Sequence, residues 1–372
     1  MFRVKEGKIS SNGLFVMLII LLVAKIFLGV PQAMVEEGDS AAWLLIIVSA
    51  LAAVPGIWVL LKLMKKFPGK NLIQIAEELL GRPGAFLTGL ILSFFSLFMA
   101  SVIVREFSET VLTTVLPQTP ISIISFFFIG AMLLGAYNGL EVISRASTLL
   151  YPFILAGIFS ILFLTSNYIN FNNLFPIMGS GVGKILYHAP GRSSMYTEVI
   201  FAGLIAANIK DTDVIPRQVW KAFAVSVVIF VVVELFYVAD LRVPAAQKLY
   251  VPLFQLARLI YMGRFIQRIE SVYIFVWFFL GALKLTVFLY SSAVALGWAF
   301  KIPIYQPLLF PISLLIFALS FIPAGVYTAF QLDMSIIREY GAIIAWGLPL
   351  ALLVAAAVRR KGGGQTENKM DK

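Results

Sequence analysis

Ten apolar runs, each long enough to cross a lipid bilayer, occupy this chain at about residues 11–34, 41–62, 84–115, 120–138, 140–164, 184–208, 216–239, 269–299, 304–322 and 335–358. A chain patterned this way has few options. Hydrocarbon offers no partner to backbone N–H and C=O groups, so each run must satisfy them internally as a helix. The expected fold class is all-α: a polytopic membrane protein with ten transmembrane helices. Composition agrees, since 60% of the residues are hydrophobic, 13% are charged, and the mean hydropathy is +0.94.

Lys and Arg concentrate in the connections on the side of the N-terminus, which the positive-inside rule assigns to the cytoplasm. Both termini are then expected inside, N-in and C-in, in a multi-pass protein of the cell membrane. The net charge of +10 follows from this asymmetry and from anionic lipid at the inner leaflet, and calls for no nucleic acid. Residues 1–10 read as a cytoplasmic N-terminus, 11–358 as the transmembrane domain, and 359–372 (RRKGGGQTENKMDK, a basic stop followed by a polar end) as a disordered cytoplasmic tail. The absence of cysteine and the single histidine, His188, exclude thiolate metal sites and thiol nucleophiles, so no cofactor is expected. No set of catalytic groups clusters at one membrane face, and the chain is not read as an enzyme.

Two spans are interrupted. In the first, Gly29 and Pro31 follow Lys25, which stands near the middle of the run. Proline removes a donor and disfavours helical geometry in the residue before it. In the sixth, Pro190-Gly191 precedes Arg192, Ser193, Ser194, Tyr196, Thr197 and Glu198. Spans one and six are five crossings apart, the spacing of a 5+5 inverted repeat with broken helices 1 and 6 and a ligand bound between the breaks. The first repeat would cover about 11–164 and the second about 184–358. Proline alone is a weak signal, because Pro55, Pro152 and Pro349 also fall within spans. Charge at mid-depth is a stronger one, since an ionisable group facing lipid costs about 2.5 to 3.5 kcal/mol even on lenient scales. The candidate substrate-binding residues are Lys25, Gly29, Pro31, Gly191, Ser193, Ser194, Tyr196, Thr197 and Glu198.

Lys284, near the middle of span eight, completes the buried set. If Lys25 and Lys284 both approach the place where spans one and eight meet, their ammonium groups form an ion site that needs no sodium, with Glu198 and Glu234 as available counter-charges. A proton-linked or ion-independent site is then favoured. Arg105 with Glu109, and Glu141 with Arg145, are spaced four apart and are expected to pair on their helices. His188 reads as a packing residue and is left outside the site. NLIQIAEELL, residues 71–80, starts with an Asn-x-x-Gln capping pattern and is expected to lie along the inner surface, with Leu72, Ile75, Ala76 and Leu79 facing away from Gln74, Glu77 and Glu78. The outer segment VPLFQLARLIYMGRF, with Arg258 and Arg264, reads either as an interfacial helix or as a lid over an outward vestibule.

Several stretches resemble the B-subunit family of spore germinant receptors, a branch of the amino acid, polyamine and organocation transporter superfamily: LGVPQAMVEEGDSAAW, NGLEVISR, LFPIMGSGVGKILYHAPGRSSMYTEVIFAGL and FIQRIESVYIFVW. The resemblance implies a permease-like fold in the inner membrane of the endospore. It also implies a small nutrient ligand, often an amino acid, and partnership with a membrane A subunit and a lipoprotein C subunit in triggering germination. Lys25 lies outside these stretches, a polar addition to span one. A stand-alone amino-acid permease is the alternative reading.

Overall fold

The computed structural model describes residues 7–260 and 270–359. The expected disordered tail from residue 360 on, Arg264 and most of the basic N-terminus lie outside the described residues. Within them the chain is nearly all helical, and the only β-pairing is an isolated bridge between Ile9 and Ile209. Six helices are long and apolar enough to cross a membrane by length and composition: Val30–Lys66, Leu72–Thr114, Gly139–Tyr168, Ile215–Leu241, Glu270–Phe300 and Tyr340–Val358. Shorter apolar helices, Ser11–Phe27, Ile121–Tyr137 and Gln306–Ser320, complete the packing.

The first expected span divides into α1 (Ser11–Val23), a 3₁₀ turn (Ala24–Phe27) and α2 (Val30–Gly38). Ser10 caps α1 by accepting from the Gly13 amide at 3.1 Å. The helix stops because Leu28 is extended (φ −108°, ψ −160°), and it restarts with Pro31 in the first turn of α2, where a missing N–H costs nothing. α3 (Ala42–Lys66) returns across the membrane; its Pro55-Gly56 step lets the ring of Trp346 approach, and a Cβ on Gly56 would lie 2.4 Å from that ring.

α4 (Leu72–Thr114) begins with the expected capping box: the Gln74 amide donates to Asn71 Oδ1 at 2.8 Å and the Asn71 amide to Gln74 Oε1 at 3.0 Å. Gln74 is consequently buried, not on the polar face where helical spacing puts it. Gly81, at φ +74°, separates this short piece from the spanning part, a conformation that a side chain would strain. α5 (Ile121–Tyr137) and α6 (Gly139–Thr165) follow, and then α7 (Val182–Arg192), a seven-residue 3₁₀ stretch (Ser193–Val199) and α8 (Ile200–Ile205). α9 (Ile215–Leu241) leads through the short α10 (Val243–Ala246) to α11 (Pro252–Leu259), whose Leu253, Phe254, Leu256 and Ala257 are buried. α12 (Glu270–Phe300) packs along α4, with Phe107 and Trp277 stacked at 4.8 Å between ring centroids. α13 (Gln306–Ser320) precedes the last span.

The helical run that carries the last span starts at Val326, ahead of the apolar run near residue 335, although only Tyr340–Val358 is long and apolar enough to cross. It runs as α14 (Val326–Gln331), a π-helical stretch (Leu332–Ile337), α15 (Arg338–Ala342), a second π stretch (Ile343–Gly347) and α16 (Leu348–Val358). Gln331 and Asp333 depress the hydropathy of its outer turns, which hides them from a reading by apolar length alone.

The α4–α12 contact sets a test of the packing. A Cβ on Gly281 would lie 2.1 Å from the Phe107 ring, which is itself fully buried against Trp277 and Phe128. Gly281→Ala is expected to lower unfolding stability by about 1–3 kcal/mol through overpacking, read from denaturant unfolding in mild detergent. Little or no change would mean that the two helices do not meet there.

Candidate functional site

The interrupted first and sixth spans meet around Lys25. It sits in the 3₁₀ turn before the Leu28 break and is completely buried. Its Nζ donates to Glu198 Oε2 at 2.5 Å and to the carbonyl oxygen of Met195, so both partners come from the 3₁₀ stretch of span six. Lys284, equally buried on α12, donates from Nζ to the other oxygen, Glu198 Oε1, at 3.2 Å. One carboxylate thus holds two ammonium groups from two different helices. Burying ions in this way is costly, and only mutual pairing with further hydrogen bonds offsets the cost.

The hydroxyls of span six satisfy the tightened backbone around them. Ser193 donates to the Pro190 carbonyl at 2.7 Å, Ser194 to Gly191 at 2.8 Å, and Thr197 to Ser194 at 2.8 Å. Their donors are therefore engaged within their own stretch, which leaves only lone pairs to face anything else. Pro190 does not end α7; the helix passes through it, and the change of winding comes three residues later. Tyr196 is buried but packs edge-on to Phe223 and Phe230 of α9, at 4.9 and 6.4 Å. Gly191 is exposed, with nothing within 4 Å of where a Cβ would sit, so the structure does not bring it to the buried cluster.

On the first span, Gly29 admits the ring of Phe330: a Cβ there would lie 2.2 Å from Phe330 Cε2. The break exposes backbone groups to side chains, and Tyr273 of α12 donates its hydroxyl to the Phe27 carbonyl at 3.1 Å. Pro31 is the second residue of α2, and the amides of Val30 and Gln32 in that first turn have no partners within the helix and carry a partial positive charge. α11 covers this region from outside through Phe254, which lies 5.3 Å from the ring of Tyr273.

A second polar cluster joins the end of α2 to the end of α7. Arg192 at the end of α7 grips Glu37 of α2 with two nitrogens, Nε at 2.9 Å from Oε2 and Nη2 against Oε1. Its Nη1 also donates to the Met334 carbonyl at 3.2 Å, in the first π stretch of the last span. His188 stands beside this pair, with its Nδ1 3.5 Å from Glu37 Oε1. Glu37 was missed in the sequence because it lies at a span end, where acids are common. Next to the latch is a cavity of about 360 Å³ lined by Glu36, Arg192, Tyr327, Phe330 and Gln331. Breaking the bidentate pair by Glu37→Gln is expected to favour separation of α2 from α7 about ten-fold, within the usual range of conformational coupling. Faster labelling of a cysteine placed at Ala33, in a chain that has no cysteine of its own, would report it; an unchanged rate would remove the latch role.

The other buried charges separate from the centre. Glu234 is fully buried on α9, but among the described residues no ion pair joins it to either lysine. Arg105 and Glu109 pair at 2.9 Å on α4, and Glu141 and Arg145 at 2.6 Å on α6, as their spacing predicts.

The model of the spore germination protein family matches residues 8–325. The chain belongs to this family. Curated relatives of this member include spore germination protein KB of Bacillus subtilis (strain 168), 24% identical over 321 residues and 85% of each chain. Another is spore germination protein GerLB of Bacillus cereus, 23% identical over 339 residues and 87% of each chain. Among solved structures, the family member's fold is similar to MHP1, a nucleobase-cation-symport-1 family transporter in a closed conformation. The TM-score is 0.73 at 13% identity, covering 100% of this chain and 83% of that one. It is also similar to MhsT in complex with L-phenylalanine, with TM-score 0.70 at 14% identity, covering 97% and 91%. At these identities the likeness concerns the fold: this spore germination family member is a multi-pass helical membrane protein built like transporters.

Proposed function

We propose that the chain is a B-subunit-like component of a spore germinant receptor, N-in and C-in in the spore inner membrane. In this reading it crosses ten times as a 5+5 inverted repeat and works with a membrane A subunit and a lipoprotein C subunit. It binds a small nutrient at mid-membrane, between the break of span one and the 3₁₀ stretch of span six, and has no enzymatic activity. The observation that carries the reading is the convergence of Lys25, Glu198 and Lys284 beside the Leu28–Gly29 break. The cluster carries one positive charge more than negative, and the first-turn amides of α2 add to it, so a ligand carboxylate is attracted. A ligand ammonium competes with Lys284 for Glu198 Oε1, the longer of the two contacts at 3.2 Å. A nutrient that binds better with α1, α2 and span six in one arrangement shifts the equilibrium toward it, by no more than that difference in affinity.

The two fixed ammonium groups supply the charge that a bound metal cation would otherwise bring, so the site is proton-linked or ion-independent and needs no sodium. Thermal shift of the purified protein with a panel of amino acids and sugars, in sodium and in choline salts, tests this. The expected result is a ligand whose stabilisation is equal in both salts and is lost in Lys25→Met. A shift that requires sodium, or that survives Lys25→Met intact, would count against it. The transporter-like fold supports a second reading, a stand-alone proton-linked or ion-independent permease. Accumulation of substrate in liposomes without partner subunits would favour the permease.

A further inference from the structure

On the N-terminal face, at a distance from the buried triad, the segment before α1 and the segment after α8 are joined. The Ile9 amide donates to the Asn208 carbonyl at 2.9 Å and the Lys210 amide to the Ile9 carbonyl at 3.1 Å, with both isoleucines buried. This bridge ties the start of span one to the end of span six, the two elements whose breaks hold Lys25 and Glu198. Beside it opens a cavity of about 640 Å³ between that strap and α6.

Its polar end carries three cations from three separate elements, Lys8, Lys210 and Arg145. Among the described residues no carboxylate lies within ion-pair distance of Lys8 or Lys210. The one acid in the wall, Glu141, is held by Arg145 at 2.6 Å, which leaves other guanidinium donors of that arginine facing the opening. The opposite end is apolar: Leu149 and Phe153 of α6, at 68% and 58% exposure, form a wall that in a bilayer meets acyl chains. Basic groups at the interface directly above an open greasy wall match one kind of molecule, with a negative headgroup and hydrocarbon tails.

We propose that this cavity binds an anionic phospholipid of the leaflet on the N-terminal side, its phosphate held by Lys8, Lys210 and Arg145 and an acyl chain lying on Leu149 and Phe153. Lys8 and Lys210 flank the two halves of the Ile9–Ile209 bridge, so the headgroup clamps that bridge and holds this face closed. The chemistry is that of a phosphodiester, and the hydrocarbon wall assigns it to a lipid in preference to a soluble phosphate. The proposal does not depend on the nutrient site.

The test uses the full chain in phosphatidylcholine nanodiscs doped with phosphatidylglycerol, with lipid retention counted by native mass spectrometry after extraction. Neutralisation of Lys8, Arg145 and Lys210 by glutamine is compared with an equal loss of charge at Lys62, Lys65 and Lys66. The expected result is retained phosphatidylglycerol in the wild type and in the control, and loss of about five-fold in affinity for each cation removed at the cavity. If the triple variant does not fold, Lys210→Gln and Arg145→Gln are read singly, each with its own five-fold loss expected. Equal retention by the cavity and control variants would overturn the proposal. So would retention of phosphatidylcholine as strong as that of phosphatidylglycerol, or displacement of the lipid by inorganic phosphate at matched concentration.

Discussion

Glu198→Gln is expected to be the most destabilising single change in the buried centre, by about 3–5 kcal/mol, because it removes the one carboxylate shared by two fully buried ammonium groups. The order of the three possible losses is the sharper expectation. Lys25→Met leaves Glu198 and Lys284 as a neutral pair, and its cost is then mainly the Met195 carbonyl left without its donor, about 1–2 kcal/mol. Lys284→Met leaves the closer pair intact and replaces a long polar stem by an apolar one of similar volume, a change of about 1 kcal/mol or less. Denaturant unfolding of the three variants in one detergent gives the comparison. A lysine variant less stable than Glu198→Gln would show that charge balance does not govern this site.

The second large effect is at Gly29. An alanine methyl there would lie 2.2 Å from Phe330 Cε2 and 2.5 Å from Cδ2, and the Phe330 ring is backed by Tyr250 at 5.6 Å between centroids. The ring can make room only by turning into the cavity that it lines or by shifting α14, and either change disturbs the packing at the break. Gly29→Ala is expected to cost about 1–3 kcal/mol and to weaken any nutrient-induced stabilisation at least about ten-fold. Phe330→Leu on the same chain should restore more than about 1 kcal/mol of it, because the two positions share one contact. Additive single and double effects would mean that no close approach exists.

The architecture was legible because lipid leaves so little choice. Long apolar runs marked the helices and the Asn71/Gln74 pattern marked a cap, whereas the interruption of span one falls at Leu28–Gly29, with Val30 already helical ahead of Pro31. Lys25, Glu198 and Lys284 could be singled out by the cost of charge at mid-depth, although nothing in their spacing says that one carboxylate serves both lysines. What the chain did not disclose were contacts between distant segments. The Arg192–Glu37 latch spans 155 residues and uses an acid at a helix end, where charge is unremarkable. The outer turns of the last span carry Gln331 and Asp333, whose polarity looks like a loop until they are packed. Tyr196 was legible as buried but not as turned toward α9, because a 3₁₀ stretch rotates its side chains by a different angle per residue than an α-helix does.

The π-helical stretch under the latch has a mechanical consequence. A widened turn holds an extra residue, and gaining or shedding that residue rotates everything beyond it about the axis. Met334, within such a turn, lends its carbonyl to Arg192, and a second widened turn a few residues on seats Trp346 against Gly56. Losing either widened turn would therefore rotate α15 and α16 about their shared axis relative to α3.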